Sequence, residues 1–348
     1  MRTNRKAEHI RIASSLQDGP ANTGFADLHL INQSVPDHDF EDINLQVDFL
    51  GKQLEYPIII NALTGGTSQA QRINRVLAHM SAAYGIAMAV GSQTVAFEDP
   101  GLRDTFTIVR EENPDGVILA NVSALSTVED ALNAIDMIRA DGLQLHFNIP
   151  QELAMTEGDR QFKTMLTNVK EIIEESPVPV IAKEVGFGLA REAVLPLFNA
   201  GIRIFDVGGK GGTNFLAIED QRNGKFGHEI DEWGIPTAVS LAEIHNLDLP
   251  IKIIASGGVR TALDGAKSLA MGAELIGMAG QLLRILLHDG AVELDRFMED
   301  FLYRLKAVFL MTGAANPATI QSKPVIILGE TAEWLKARGI DPLRWARN

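Results

Sequence analysis

The sequence predicts an α/β fold: a single (β/α)8 TIM barrel with an N-terminal arm and extra C-terminal helices. Three observations predict it. Eight short apolar runs recur along the 348 residues, each ending in small or polar residues. They are apolar on both faces, the pattern of strands buried on both sides in a parallel sheet. Helical patterns lie between them, and the alternation continues through eight units, which favours closure over a doubly wound sheet.

The runs, numbered as strands 1 to 8, cover 57–61, 86–91, 117–121, 143–148, 178–183, 202–207, 251–256 and 275–279. After strand 1, Ile73, Val76, Leu77 and Met80 fall at helical spacing within 71–83. Thr127 and Asp130 have the form of a capping box opening a helix over 131–140, with Gly142 as its end; Thr261 and Asp264 repeat the device before 266–271 and Gly272. Residues 209–235, Gly-rich and then charged, read as a long loop after strand 6. The whole reads as one domain: an arm or cap at 1–55, the barrel at 56–289, and a helical extension at 290–348, with helices at 290–312 and 331–339.

Composition limits the chemistry. There is no cysteine, which excludes disulfides, thiolate metal sites, Fe–S clusters and Cys nucleophiles. The net charge is −14, from 45 acidic and 31 basic residues. A nucleic-acid partner is therefore not expected, because phosphate contacts along a polymer need clustered Lys and Arg. No run approaches the roughly 20 apolar residues of a membrane span. The basic start has no apolar stretch behind it, so no secretory signal is expected, and a cytoplasmic location is.

In such a barrel the site lies at the C-terminal strand ends. Those ends carry Asn61, Thr64, Ser92, Gln93, Asn121, His146, Asn148, Gln151, Glu152, Lys183, Glu184, Asp206, Ser256 and Gly280. One polar residue there is ordinarily a turn or cap. A ring of amides and hydroxyls with one Lys and one His points to a ligand. Gly257 and Gly258 after strand 7, with Ala279 and Gly280 after strand 8, occupy the usual barrel phosphate position, where bare N–H groups and helix N-termini meet an anion. Thr64-Gly65-Gly66 and Gly208-Gly209-Lys210-Gly211-Gly212-Thr213-Asn214 are further close-approach loops; the second lacks Walker A spacing. Lys183 reads as a structural partner of Glu184 or another acid, a cation beside developing negative charge, or an amine nucleophile of a Schiff-base lyase. Glu152 has no His partner, so a protein-only metal site is not indicated. One carboxylate plus substrate phosphates can nevertheless hold Mg²⁺. Arg5, Lys6 and His9 form a basic cluster that is either a solvated terminus or a clamp on a diphosphate.

Assembled, these residues resemble the type 2 isopentenyl-diphosphate isomerases over nearly the whole chain. The most specific stretches are Thr64-Gly65-Gly66, Val90-Gly91-Ser92-Gln93, Leu145-His146-Phe147-Asn148 with Gln151-Glu152, Lys183-Glu184-Val185-Gly186-Phe187-Gly188 and the loop after strand 6 through Phe215. The resemblance implies FMN, active when reduced, with NADPH as reductant. It places Ala62, Leu63, Thr64, Ser92, Asn121, Lys183 and Thr213 around the flavin, and Gly257, Gly258, Ala279 and Gly280 on its phosphate. It puts Arg5, Lys6, His9, Ser92, Gln93, His146, Asn148 and Gln151 on a small-molecule diphosphate substrate, with Gln151, His146 and Lys183 as catalytic residues and Glu152 on Mg²⁺. It also implies a homo-oligomer, a tetramer or an octamer. Leu63 stands where Met is common in the family, and Thr94 and Val95 also depart from the pattern. A 2-hydroxy-acid oxidase would require a His base and Arg residues near the loop after strand 6 or 7, and residues 208–214 supply neither. A Schiff-base lyase and a non-catalytic flavin scaffold remain the other readings.

Overall fold

The computed structural model describes residues 2–16 and 21–347, with side chains from Lys6 onward apart from Ala7. Eight parallel strands close into a barrel: β1 (Ile58–Ile60), β2 (Ala87–Ala89), β3 (Ile118–Ser123), β4 (Gly142–Phe147), β5 (Val180–Glu184), β6 (Ile204–Asp206), β7 (Lys252–Ser256) and β8 (Leu275–Met278). Each pairs with its sequence neighbours. Closure comes from β8 against β1, with Ile276 opposite Ile58 and Met278 opposite Ile60. Every apolar run expected to be a strand is one.

The runs are apolar on both faces because both faces meet protein. Ile59, Leu119, Ile181, Ile204, Ile254 and Leu275 form one buried cluster that fills the lumen. Their neighbours Ile58, Ile60, Ala182, Phe205, Ile253 and Ile276 belong to the larger cluster between the strands and the helices. Side chains alternate along a strand, so the next inward position lies two residues on. There the residue type changes to Asn61, Asn121, Lys183, Asp206 and Ser256, all buried. One step of two residues thus converts a hydrophobic plug into a polar floor.

The opposite end of the barrel is closed by a hairpin, Val47–Phe49 paired with Lys52–Leu54, whose Phe49 and Leu54 join the lumen cluster. Lys52 pairs with Asp141 at 2.6 Å. Buried Arg110 donates to the carbonyls of Asn113, Pro114, Gly116, Ile138 and Arg139, and to Asp141 at 2.7 Å. This guanidinium ties together the segments that enter β3 and β4.

The expected helix over 71–83 is Ser68–Tyr84, and both capping boxes are present, opening Val128–Ile138 and Ala262–Ala270. Gly142 does not end a helix. Arg139 does, at φ 47, and Gly142 begins β4. Nor is 209–235 a loop throughout. Phe215–Asn223 is a helix capped by the Asn214 side chain, which accepts from the N–H groups of Leu216 and Ala217. The cap supplies what its short apolar pattern does not signal. The arm begins with a helix, Arg2–Ser15, and its strand Leu28–Leu30 pairs antiparallel with Val325–Ile327, tying it to the C-terminal extension. That extension carries the helices Ala291–Thr312 and Gly329–Ala337. Among the described residues, no helix is long and apolar enough to cross a membrane.

Arg110→Met should lower the unfolding free energy by about 3 kcal/mol, because it leaves several carbonyls without their donor and takes one of two cations from half-buried Asp141. Denaturant melts check this, and an unchanged midpoint would contradict the role given to Arg110.

Candidate active site

The polar floor underlies a cavity of about 1030 Å³ at the C-terminal ends of the strands. At its centre Lys183 Nζ lies 3.0 Å from Asp206 Oδ2, and Asp206 has no exposed surface. Asn61 Nδ2 donates to the same oxygen at 2.5 Å, and Ser256 Oγ donates to the other. The buried carboxylate therefore meets one cation and two neutral donors, which offset its desolvation. Gly277 makes the arrangement possible: a Cβ there would stand 2.6 Å from Ser256 Cβ and 3.1 Å from Asn61 Nδ2. Of the acids open to Lys183 in the sequence, Asp206 is the partner. Glu184 instead accepts from the N–H groups of Gly186, Phe187 and Gly188. Burial pushes its carboxyl up to about 7, with those three donors and Lys183 holding it back.

The amides continue across the floor. Asn61 Oδ1 accepts from Gln144 Nε2 at 3.0 Å, Gln144 Oε1 accepts from Asn121 Nδ2 at 3.1 Å, and Asn121 Oδ1 lies 2.9 Å from His146 Nδ1. Burial, followed by the charges of Lys183 and Lys6, pushes the His146 imidazole down to about 4. It is therefore neutral near pH 7.

On one side of the mouth stands the short helix Ile149–Ala154. Asn148 Nδ2 donates to Gln151 Oε1 at 3.2 Å and Glu152 Oε1 at 2.9 Å, while Glu152 Oε2 accepts from the Asp159 N–H. Opposite, Gly257 (φ 106) and Gly258 (φ 80) form the loop after β7. A Cβ at Gly257 would lie 2.1 Å from the Gly209 carbonyl oxygen, so this glycine also admits the loop after β6. The helix Gly280–His288 starts in the cavity wall. Gln281, in its first turn, has a shielded Oε1 without a partner among the described residues.

All eleven residues expected around a flavin line this cavity, and so do Lys6, His9, His146, Asn148, Gln151 and Glu152. Gln93 does not. It is fully buried, donates to the Ala134 carbonyl and accepts from the Asn121 N–H, so it props Asn121 from behind. The Arg5 side chain lies outside the described residues. Lys6 Nζ donates to the Ser92 carbonyl at 2.6 Å and sits over the Phe106 ring. His9 Nε2 lies 2.7 Å from Glu219 Oε1. The sequence reading missed Arg222, a cavity-lining cation paired with Glu8, Glu157 and Glu219. It sits on the helix that was read as loop. Gln144 was missed too, although it shares the inward parity of His146.

A sequence profile of the FMN-dependent dehydrogenase family matches residues 120–327. The isopentenyl-diphosphate delta-isomerase of Moorella thermoacetica is 48% identical over 337 residues, 97% of this chain and 97% of that protein. The chain belongs to the FMN-dependent isopentenyl-diphosphate delta-isomerases. The member from Symbiobacterium thermophilum is 43% identical, covering 98% of this chain and 97% of its own. Among solved structures, a flavocytochrome b2 variant with sulfite bound aligns with TM-score 0.67 at 14% identity, over 95% of this chain and 84% of that one. A mandelate oxidase variant with a monooxide FMN adduct aligns with TM-score 0.64 at 12% identity, over 92% of each chain. At such identities the likeness is one of fold.

The residues present fit an FMN. The cavity is at the upper end of small-molecule pockets, with room for a mononucleotide and a second small ligand. Its floor offers an ammonium, its far wall has glycine backbone and a helix start, and Gln281 has an amide oxygen left over.

Glu184 lies behind the site and gives a clean pH test. Its carboxyl sits above its unfolded value, so its contribution to stability is full below about 4.5 and is lost as pH rises through about 7. Between pH 5 and 8 the protein should therefore lose stability relative to Glu184→Gln, whose amide oxygen still accepts the three N–H bonds. Parallel stability curves for the two proteins would contradict this.

Proposed function

We propose that the protein interconverts isopentenyl diphosphate and dimethylallyl diphosphate by a 1,3-allylic proton shift, with FMN and Mg²⁺ in the barrel mouth. The observation that carries this reading is one cavity that brings the Lys183 floor and the glycine loops after β7 and β8 together with Lys6, His9 and the Glu152 carboxylate, in a chain 48% identical to an isomerase so named. The net change is redox-neutral, and its difficult step is protonation of an unactivated alkene. The sequence offers no cysteine for it. Reduced FMN, with NADPH as its reductant, supplies the acid and base.

The chain's own residues bind and orient. Lys183, held by Asp206, would supply positive charge beside a bound flavin and so stabilise its reduced, anionic form. Thr64, Ser92, Asn121 and Thr213 set the ring and ribityl chain, while Gly257, Gly258, Ala279 and Gly280 receive the phosphate. Glu152 holds Mg²⁺ together with the substrate's diphosphate, an ordinary Mg²⁺ environment of one carboxylate, phosphates and water. Lys6, together with Arg5 and His9, closes the arm over the diphosphate, and Ser92, Asn148, Gln151 and His146 complete the substrate side. Closure of the arm keeps water from the cationic transition state. A homo-oligomer in the cytoplasm, tetramer or octamer, belongs to the same proposal.

The test is turnover of isopentenyl diphosphate by FMN-loaded protein, oxidised or reduced, across a Mg²⁺ titration. Activity should require both reduction and Mg²⁺. Glu152→Gln should raise the Mg²⁺ needed for half-maximal rate about tenfold or more, with FMN content unchanged. Full turnover by strictly oxidised enzyme would contradict the proposal, and an unaltered Mg²⁺ titration would make Glu152 a structural acid.

A further inference from the structure

We propose that a directed chain of side-chain amides, running from Asp206 through Asn61, Gln144 and Asn121, fixes His146 as its Nδ1–H tautomer. The imidazole then presents Nε2 to the ligand side as a hydrogen-bond acceptor, and Asn61 and Gln144 are positioning residues of the site. The inference rests on the reading that His146 faces the substrate.

The argument is one of polarity. An ionised carboxylate only accepts, and each amide has one donating and one accepting end. Asn61 must therefore turn Nδ2 to Asp206, which leaves Oδ1 for its next neighbour. A second contact fixes the same orientation independently: the Ala62 main-chain N–H, which can only donate, points at Asn61 Oδ1 from 3.0 Å. Gln144 must then donate to Asn61 with Nε2 and accept from Asn121 with Oε1. Asn121 is left with Oδ1 toward His146 Nδ1, so that nitrogen carries the hydrogen. Gln144 is fully buried between Leu143 and Leu145. A buried amide is costly unless both ends are bonded, and Gln144 spends both on this chain.

The consequence concerns what His146 binds. An ionised diphosphate offers only acceptors, and a neutral imidazole with a lone pair on Nε2 repels them. His146 instead suits a donor on the ligand side, such as a water molecule on a divalent cation.

Two-bond ¹H–¹⁵N correlation of the histidine rings in FMN-loaded protein near pH 7.5, with His146 assigned by loss in His146→Gln, reads the tautomer directly. Hydrogen on Nδ1 is expected; hydrogen on Nε2 overturns the proposal without touching the isomerase reading. In Gln144→Met the chain is cut, and the Nε2–H form that free imidazole favours in water should gain population. A folded Gln144→Met that keeps only the Nδ1–H form overturns the relay. Should this variant not fold, the parent spectrum decides alone. With FMN still bound, kcat/KM should fall about tenfold, the worth of one neutral hydrogen bond. A shifted tautomer with unchanged kcat/KM would remove His146 from the substrate side and overturn the positioning role.

Discussion

The Lys183–Asp206 ion pair is the constraint around which the rest of the site is arranged. Two charges beneath the barrel mouth are stable only if every remaining lone pair and proton is satisfied. Asp206 meets that demand with Asn61 and Ser256, from strands on either side of the closure, and Gly277 is the residue small enough to let them meet. The pair fixes a cation at the cavity floor, and it sets the direction of the amide chain that ends at His146. A single carboxylate thus governs two functional groups that stand side by side on β4 and β5.

The barrel makes that constraint affordable by being rigid below it. The lumen is packed with branched aliphatics and stoppered by Phe49 and Leu54, so the polar layer rests on a floor that cannot yield. Adaptation is left to what lies above. The arm helix meets the helix Phe215–Asn223 through His9–Glu219 and Glu8–Arg222, contacts that involve half-exposed or mouth-side groups. Across the cavity, the wall is instead built of strand ends and tight glycine loops.

Much of this was legible in the sequence, for a physical reason. Parallel strands covered on both faces leave uninterrupted apolar runs, and the polar residue that follows each run marks the site's rim. The eight strands and the polar ring at their ends are legible in that way, whereas the residues assigned to a flavin came from the family resemblance. Pairings between strands were not. Lys183 finds Asp206 because β5 and β6 set those two residues opposite each other, and nothing at Lys183 itself names that partner over the adjacent Glu184. Gln93 has the type and position of a ligand residue, yet its strand end turns it behind Asn121. Gln144 was hidden in an apolar run, where its parity with His146 was the available signal. Arg222 was lost with its helix, whose cap at Asn214 follows a glycine-rich stretch that reads as loop.

The central claim is that Asp206 holds the cationic floor on which the cofactor rests. It is tested most directly by titrating FMN into Asp206→Asn, with flavin fluorescence as the signal, alongside the parent protein. The account predicts an FMN dissociation constant at least about tenfold higher and an unfolding free energy lower by about 3–5 kcal/mol, as expected when one member of a buried pair is removed. An Asp206→Asn protein that binds FMN as tightly as the parent and is equally stable would contradict it.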